Sequence, residues 1–349
     1  MDPSEFARRY NAGQRDFSGL NLAGVDLSEY NLYGANLFEA NLGRADLRGS
    51  ALSGVTLVRA NLAGANLGGA YLFGTDLSGA DLSGANLRQA DLSKTNLTGA
   101  NLNHAHLTGA RLAQAFLFEA DLREAHLRGA DLSGAGLGGA ALSEANLHGA
   151  NLTGAGLGGS NLARVNMINA KLRRANLYGA NLTEARLVGA DLSEASLDRA
   201  YLFRTEMRGA TLTKAVLEGA NLGSVDLEEA ILREADLSLA NLDGASLIGA
   251  DMQRVKLGEA SLKLTNLTGA NLHRAIMTKA DLRLANFTEA DLSGADLREA
   301  NLEEADLSLA NLENADLTGA NLQGAKLNGT ILPDGHKKRF FTSLKKFTS

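Results

Sequence analysis

Ala80-Asp81-Leu82-Ser83-Gly84 is followed by Ala85-Asn86-Leu87-Arg88-Gln89 and then by Ala90-Asp91-Leu92-Ser93-Lys94. The same five-residue phrase extends outward in both directions. From Phe17 to Leu332 every residue whose number ends in 2 or 7 is Leu, Met or Phe, 64 consecutive positions without a slip. The departures from Leu are Phe17, Met167, Met207, Met252, Met277 and Phe287, all large apolar residues that fill comparable volume. Ala stands two residues before most of them, Asn or Asp one before, and Gly often two after. A short self-similar period of this kind governs the fold before any single helix or strand does.

A period of five matches neither the 3.6 of a helix nor the 2 of a strand. It fits a chain that turns a corner every five residues, with Leu and the residue two before it pointing inward. Small Ala lets the corner close, and Gly tolerates unusual backbone angles at other corners. The Asn or Asp before each Leu can bond nearby backbone or stack on its equivalent one coil away.

Longer correlations set the number of sides. Val25, Val55, Thr75, Thr95, Val165, Thr205, Val225, Val255 and Thr265 replace Ala only at numbers ending in 5, with Thr330 the exception, which implies an even number of sides. At spacing 20, Arg174, Glu194, Lys214, Glu234 and Arg254 alternate in sign, and Glu259, Lys279 and Glu299 do the same. Opposite charges stacked about 4.8 Å apart select four sides. Exposed pairs contribute only ~0–1 kcal/mol each, so these columns mark register more than they stabilise.

These residues resemble the pentapeptide-repeat proteins, with their A-[DN]-L-x-x consensus, over residues 15–332. The stretch from Arg9 to Phe17 is similar to the opening of cyanobacterial members. The resemblance implies an all-β, right-handed, quadrilateral parallel β-helix of about 16 coils, one per twenty residues. Three parts are expected: a capping helix within residues 1–14, a β-helix over 15–335 and a basic tail over 336–349. Pro3, Glu5, Phe6, Tyr10 and Gly13 predict a helix over 3–12. In the tail, Phe340, Phe341, Leu344 and Phe347 share one side of a helical pattern, opposite Lys and Arg. That pattern suits a cap over the last coil, a homodimer contact, or docking on a membrane or another partner.

Composition excludes several functions. There is no Cys and no Trp, which removes disulfides, thiol chemistry and cysteine zinc sites. No basic leader precedes an apolar run, so a cytoplasmic location is the expectation. The net charge is −6, yet residues 281–335 hold 11 acids against Arg283, Arg298 and Lys326. Asp residues recur on every side as part of the repeat, so they are read as structural and no catalytic residue is assigned. His106 and His126 lie 20 apart with His104 nearby, but two histidines without a third ligand call for no metal, and no cofactor is expected.

The outward positions leave one distinctive surface. Gly136 and Gly138 precede Gly156 and Gly158 by one coil, with Phe116 and Phe118 one coil before and Tyr178 one coil after. A bare floor beside aromatic side chains can receive a partner's helix or loop; equally, glycine is inexpensive at outward positions. The leading expectation is a non-catalytic protein-interaction scaffold that binds no nucleic acid directly. Two alternatives are a DNA mimic that binds a type II topoisomerase through the acidic coils, as quinolone-protecting members of the family are thought to do, and a membrane- or antenna-associated protein that uses its basic tail.

Overall fold

The computed structural model describes residues 3–336 and Thr348. Its helix α1 spans Pro3–Asn11, one residue short of the expected end, and seats Phe6 with its ring centroid 4.4 Å from that of Phe17. Beyond α1 the chain is a β-helix-like repeat that divides into two units, Met1–Asn176 and Leu177–Ser349.

Within each unit every fifth residue forms a parallel bridge to the residue twenty later, as in Asp81↔Asn101 and Asn221↔Asn241. A two-residue turn separates successive bridges, so four five-residue sides complete one coil. The inward positions are Leu and Ala, and nearly all are fully buried. Thr replaces Ala without leaving a stranded hydroxyl: Thr75 Oγ1 donates to the Leu52 carbonyl at 2.9 Å, and Thr205 to that of Leu182 at 2.8 Å. No buried side-chain nitrogen or oxygen among the described residues lacks a partner.

The backbone bonding of one phrase explains its composition. Leu82 N–H donates to the Asn101 carbonyl (2.7 Å) and Gly84 N–H to the Asn103 carbonyl (2.9 Å), both one coil ahead. Asp81 N–H donates to Ala60 one coil behind, at 3.0 Å, and Ala85 N–H closes the turn on Leu82, also at 3.0 Å. One N–H remains, that of Ser83, and it reaches the Asp81 carboxylate at 3.0 Å. Asp81 Oδ1 also accepts the Asn101 amide at 3.0 Å. The Asn/Asp position therefore does both things the sequence suggests: it completes its own turn and links to the next coil.

Turn residues whose numbers end in 4 or 9 adopt positive φ, whether glycine, as at Gly84 (61°), or a charged residue, as at Glu144 (62°). The charge columns stack as expected, with Arg164 2.5 Å from Glu144 and Lys279 3.9 Å from Glu299.

The C-terminal coils show how the frame ends. Leu322 and Ala325 are half-buried, unlike the repeat-core Leu and Ala of earlier coils. Gly319 N–H donates to the Thr348 carbonyl at 2.9 Å, whereas the equivalent Gly84 N–H uses a carbonyl 19 residues ahead, that of Asn103. No described helix is long and apolar enough to cross a membrane.

Two predictions follow from this bonding. Asp81→Asn keeps the acceptor and should leave stability within about 0.5 kcal/mol, whereas Asp81→Ala should cost about 1–2 kcal/mol. Gly84→Ala places a side chain at positive φ and should cost about 1 kcal/mol; Gly156→Ala, whose Cβ meets only the Ala135 carbonyl at 4.0 Å, should be near neutral. Urea unfolding of the four variants, at matched m-values, checks both.

Candidate functional site

The frame uses its Leu, Ala and Asn/Asp positions; what remains for recognition is the outward side chains. Along one column of the first unit the Asn/Asp position is occupied by Phe116, Gly136 and Gly156 in three successive coils. None of these offers a side-chain acceptor. Consequently the N–H groups of Phe118, Gly138 and Gly158, which correspond to that of Ser83, have no acceptor among the described residues of the first unit. The departure from consensus creates a row of spare backbone donors.

The side chains beside this row have a definite arrangement. Phe116 and Phe118 are 49% and 44% exposed, with ring centroids 6.3 Å apart. Phe118 lies across the glycine floor: a Cβ on Gly136 would sit 2.6 Å from its ring, and one on Gly138 3.4 Å. Gly136 and Gly138 are thus covered by an aromatic lid, while Gly156 and Gly159 stay open. Spacing alone placed these residues together; the rotamer of Phe118 decides which glycines are bare. Phe203 over Gly223 repeats the device in the second unit, at 3.2 Å.

Tyr178 belongs to the second unit, where it is 49% exposed and lines a shallow depression of about 340 Å³ with Asp198, Arg199, Glu218 and Leu239. Phe340, Phe341, Leu344 and Phe347 lie outside the described residues.

The histidines form a stack and not a chelate. His106 and His126 rings are 4.9 Å apart and inclined by only 3°, so they lie face to face instead of converging. His104 Nδ1 turns away to Glu124, 3.5 Å distant. No group of three or more His, Asp or Glu able to hold a metal occurs among the described residues. Partial burial, then the neighbouring His126 and Arg88, hold His106 below the ordinary histidine range. Arg283 and Arg298 each reach the Asp two residues earlier, at 2.6 Å, and hold Asp281 and Asp296 below the usual carboxylate range.

With the repeat geometry in hand, the comparisons are direct. The family model described as Pentapeptide repeats (8 copies) matches in overlapping segments that cover residues 16–258 and 265–332. The chain belongs to the pentapeptide-repeat family. Among solved structures it is similar to HetL, a pentapeptide repeat protein involved in heterocyst differentiation regulation from the cyanobacterium Nostoc sp. strain PCC 7120. That match has 30% identity, covers 97% of this chain and 100% of HetL, and has a TM-score of 0.23. QnrB1, a plasmid-mediated fluoroquinolone resistance protein, matches at 20% identity over 52% of this chain and 90% of its own, with a TM-score of 0.31. A pentapeptide repeat protein from the Arabidopsis thaliana thylakoid lumen matches at 30% identity over 35% and 70%, with a TM-score of 0.24. Among curated proteins none matches.

The stacked imidazoles generate a pH prediction for this pentapeptide-repeat protein. A folded-state pKa below the unfolded value means that the unfolded chain takes up the proton first. Stability is then full above about pH 7, falls as pH drops through about 6.5, and levels off below the folded pKa of His106. His106→Asn restores the consensus acceptor and should flatten this segment of the profile. Thermal unfolding of both proteins between pH 5 and 8 measures it.

Proposed function

We propose that this chain is a non-catalytic scaffold for protein–protein interaction. In this reading the frame is a right-handed β-helix of about 16 coils over residues 15–335, and a partner reads side chains displayed on its outward positions. The observation that carries it is the column through Phe116, Gly136 and Gly156. Three successive losses of the turn acceptor leave backbone donors in register beside two exposed aromatic rings. Exposed aromatics are favoured interface anchors, and unpaired backbone groups are what an extended partner segment satisfies.

Nothing in the frame needs these departures, since Asn or Asp at 116, 136 and 156 would complete the local bonding as it does at Asp81. The reading takes this to be a regulatory or assembly role in a cyanobacterium-like host, in the cytoplasm and without a cofactor; HetL, for its part, is described as involved in heterocyst differentiation regulation.

The test is affinity purification from the source organism with the intact protein and with Phe116→Ser combined with Phe118→Ser. Both positions are outward, so circular dichroism should be unchanged. Recovery of the specific partner should fall at least tenfold, about 1.4 kcal/mol. Equal recovery with both proteins would remove this column as the binding face.

A further inference from the structure

The first unit contains a second built surface, at its N-terminal end. Here the repeat is broken in a particular way: Tyr30 and Leu20 occupy inward positions that are Ala in most later coils. Tyr30 is half-buried and forms part of a depression of about 690 Å³ between the first coil and the end of α1.

Two further tyrosines line it. Tyr10 is fixed on both sides: its hydroxyl donates to the Tyr33 carbonyl at 2.9 Å, and the Arg15 guanidinium lies 4.0 Å above its ring. Tyr33 is 68% exposed, with its ring edge 3.2 Å from where a Cβ on Gly54 would stand. A side chain at position 54 would crowd that ring, and Gly54 leaves room for it.

Two side-chain donors of the depression are unspent. Asn31 Oδ1 is occupied by the Tyr33 N–H at 3.0 Å. In later coils the amide nitrogen of this position donates one coil back, as Asn41 does to Asn21 at 3.0 Å. The residue twenty before Asn31 is Asn11, the last residue of α1, and the Asn31 amide nitrogen makes no hydrogen bond to a described residue. Arg15 spends Nη1 on the carbonyls of Tyr10 and Gln14, at 2.8 and 2.9 Å, and leaves Nη2 without an acceptor among the described residues. No carboxylate lines the depression.

Flat aromatic faces beside unspent donors, in an open trough, define a ligand that is extended, apolar along one side and rich in carbonyl acceptors. A polyproline II strand has these properties: its carbonyls are free, its prolines carry no competing N–H, and its conformation is already set. A small molecule would be poorly enclosed in so open a site. A single-stranded nucleic acid requires a basic groove, and the lining holds one cation. We propose that this depression docks a polyproline II segment of a partner protein, with prolines on Tyr30 and Tyr33 and backbone carbonyls on Asn31 and Arg15.

The proposal rests on the scaffold reading only in taking the partner to be a protein. Its test needs no cellular partner, so its failure would leave the Phe118 column untouched. The full chain is titrated with acetyl-Pro-Pro-Ala-Pro-Pro-amide and, separately, with acetyl-Gly-Ser-Gly-Ser-Gly-amide, followed by calorimetry and by tyrosine fluorescence, which no Trp obscures.

The proline peptide should bind saturably with a Kd below about 1 mM, and the glycine peptide should not. Tyr33→Ala should weaken binding at least tenfold. Asn31→Asp keeps the acceptor for the Tyr33 N–H while removing the donor, and should weaken binding several-fold with the fold intact. Equal response to the two peptides, no saturable binding, or affinity unchanged in both variants would overturn the assignment. So would salt-sensitive binding of an oligothymidylate probe in place of the proline peptide.

Discussion

Each five-residue side of this structure must place five backbone N–H groups, and parallel pairing with turn closure accounts for only four. The fifth, carried by the residue after Leu, has no backbone acceptor, and the Asn or Asp two residues before it supplies one, as Asp81 does for Ser83. This requirement explains the consensus better than any preference of Asp or Asn for β-structure, which is poor. A group that cannot be satisfied by the ladder must be satisfied by a side chain or by water. Because the acceptor lies on an outward face, the requirement is soft: water can replace it, and substitution there is tolerated locally. The Leu positions have no such latitude, since their side chains fill the coil interior and are buried almost without exception.

That difference separates the chain into positions with a duty to the fold and positions without one. Leu239, Leu264, Leu284 and Leu309 belong to the second set. Each sits at positive φ, between 58° and 62°, and each is 49–65% exposed. A leucine there carries the strain of a left-handed conformation together with exposed apolar area, and glycine, common at the equivalent turns, avoids both. The frame gains nothing from these leucines. The same logic applies to Phe116, where the consensus Asn or Asp would have completed a hydrogen bond to the Phe118 N–H.

The fold was legible because its signal is additive. Sixty-four positions in phase leave no alternative period, and the spacing-20 charge columns mark the coil length that the parallel bridges then display. The candidate surface was legible only in part, since spacing says which residues share a column but not which rotamer they take. Phe118 illustrates the gap: its place beside Gly136 follows from its number, whereas its position across that glycine depends on a side-chain torsion no repeat specifies. The N-terminal depression was missed although its signal was present. Tyr30 at an inward position contradicts the Ala rule as plainly as any residue in the chain, and a large polar-tipped ring can stand there only where the coil end is open.

The net charge of a stretch of sequence does not fix where its charges stand. Residues 281–335 carry a marked acidic excess, which suggested a surface like that of duplex DNA. In the structure Arg283, Arg298 and Lys326 are each engaged by an aspartate of that stretch, and Lys263 and Lys279 reach into it from the preceding coil. Arg298 sits between Asp296 on its own side and Asp316 one coil on, so a cation bridges two stacked carboxylates where a duplex would present phosphate after phosphate. Pairing at spacings of 2, 18 and 20 residues therefore offsets part of the excess. A protein that recognises this end meets discrete ion pairs on a hydrogen-bonded frame, and discrimination among such pairs depends on geometry more than on net charge.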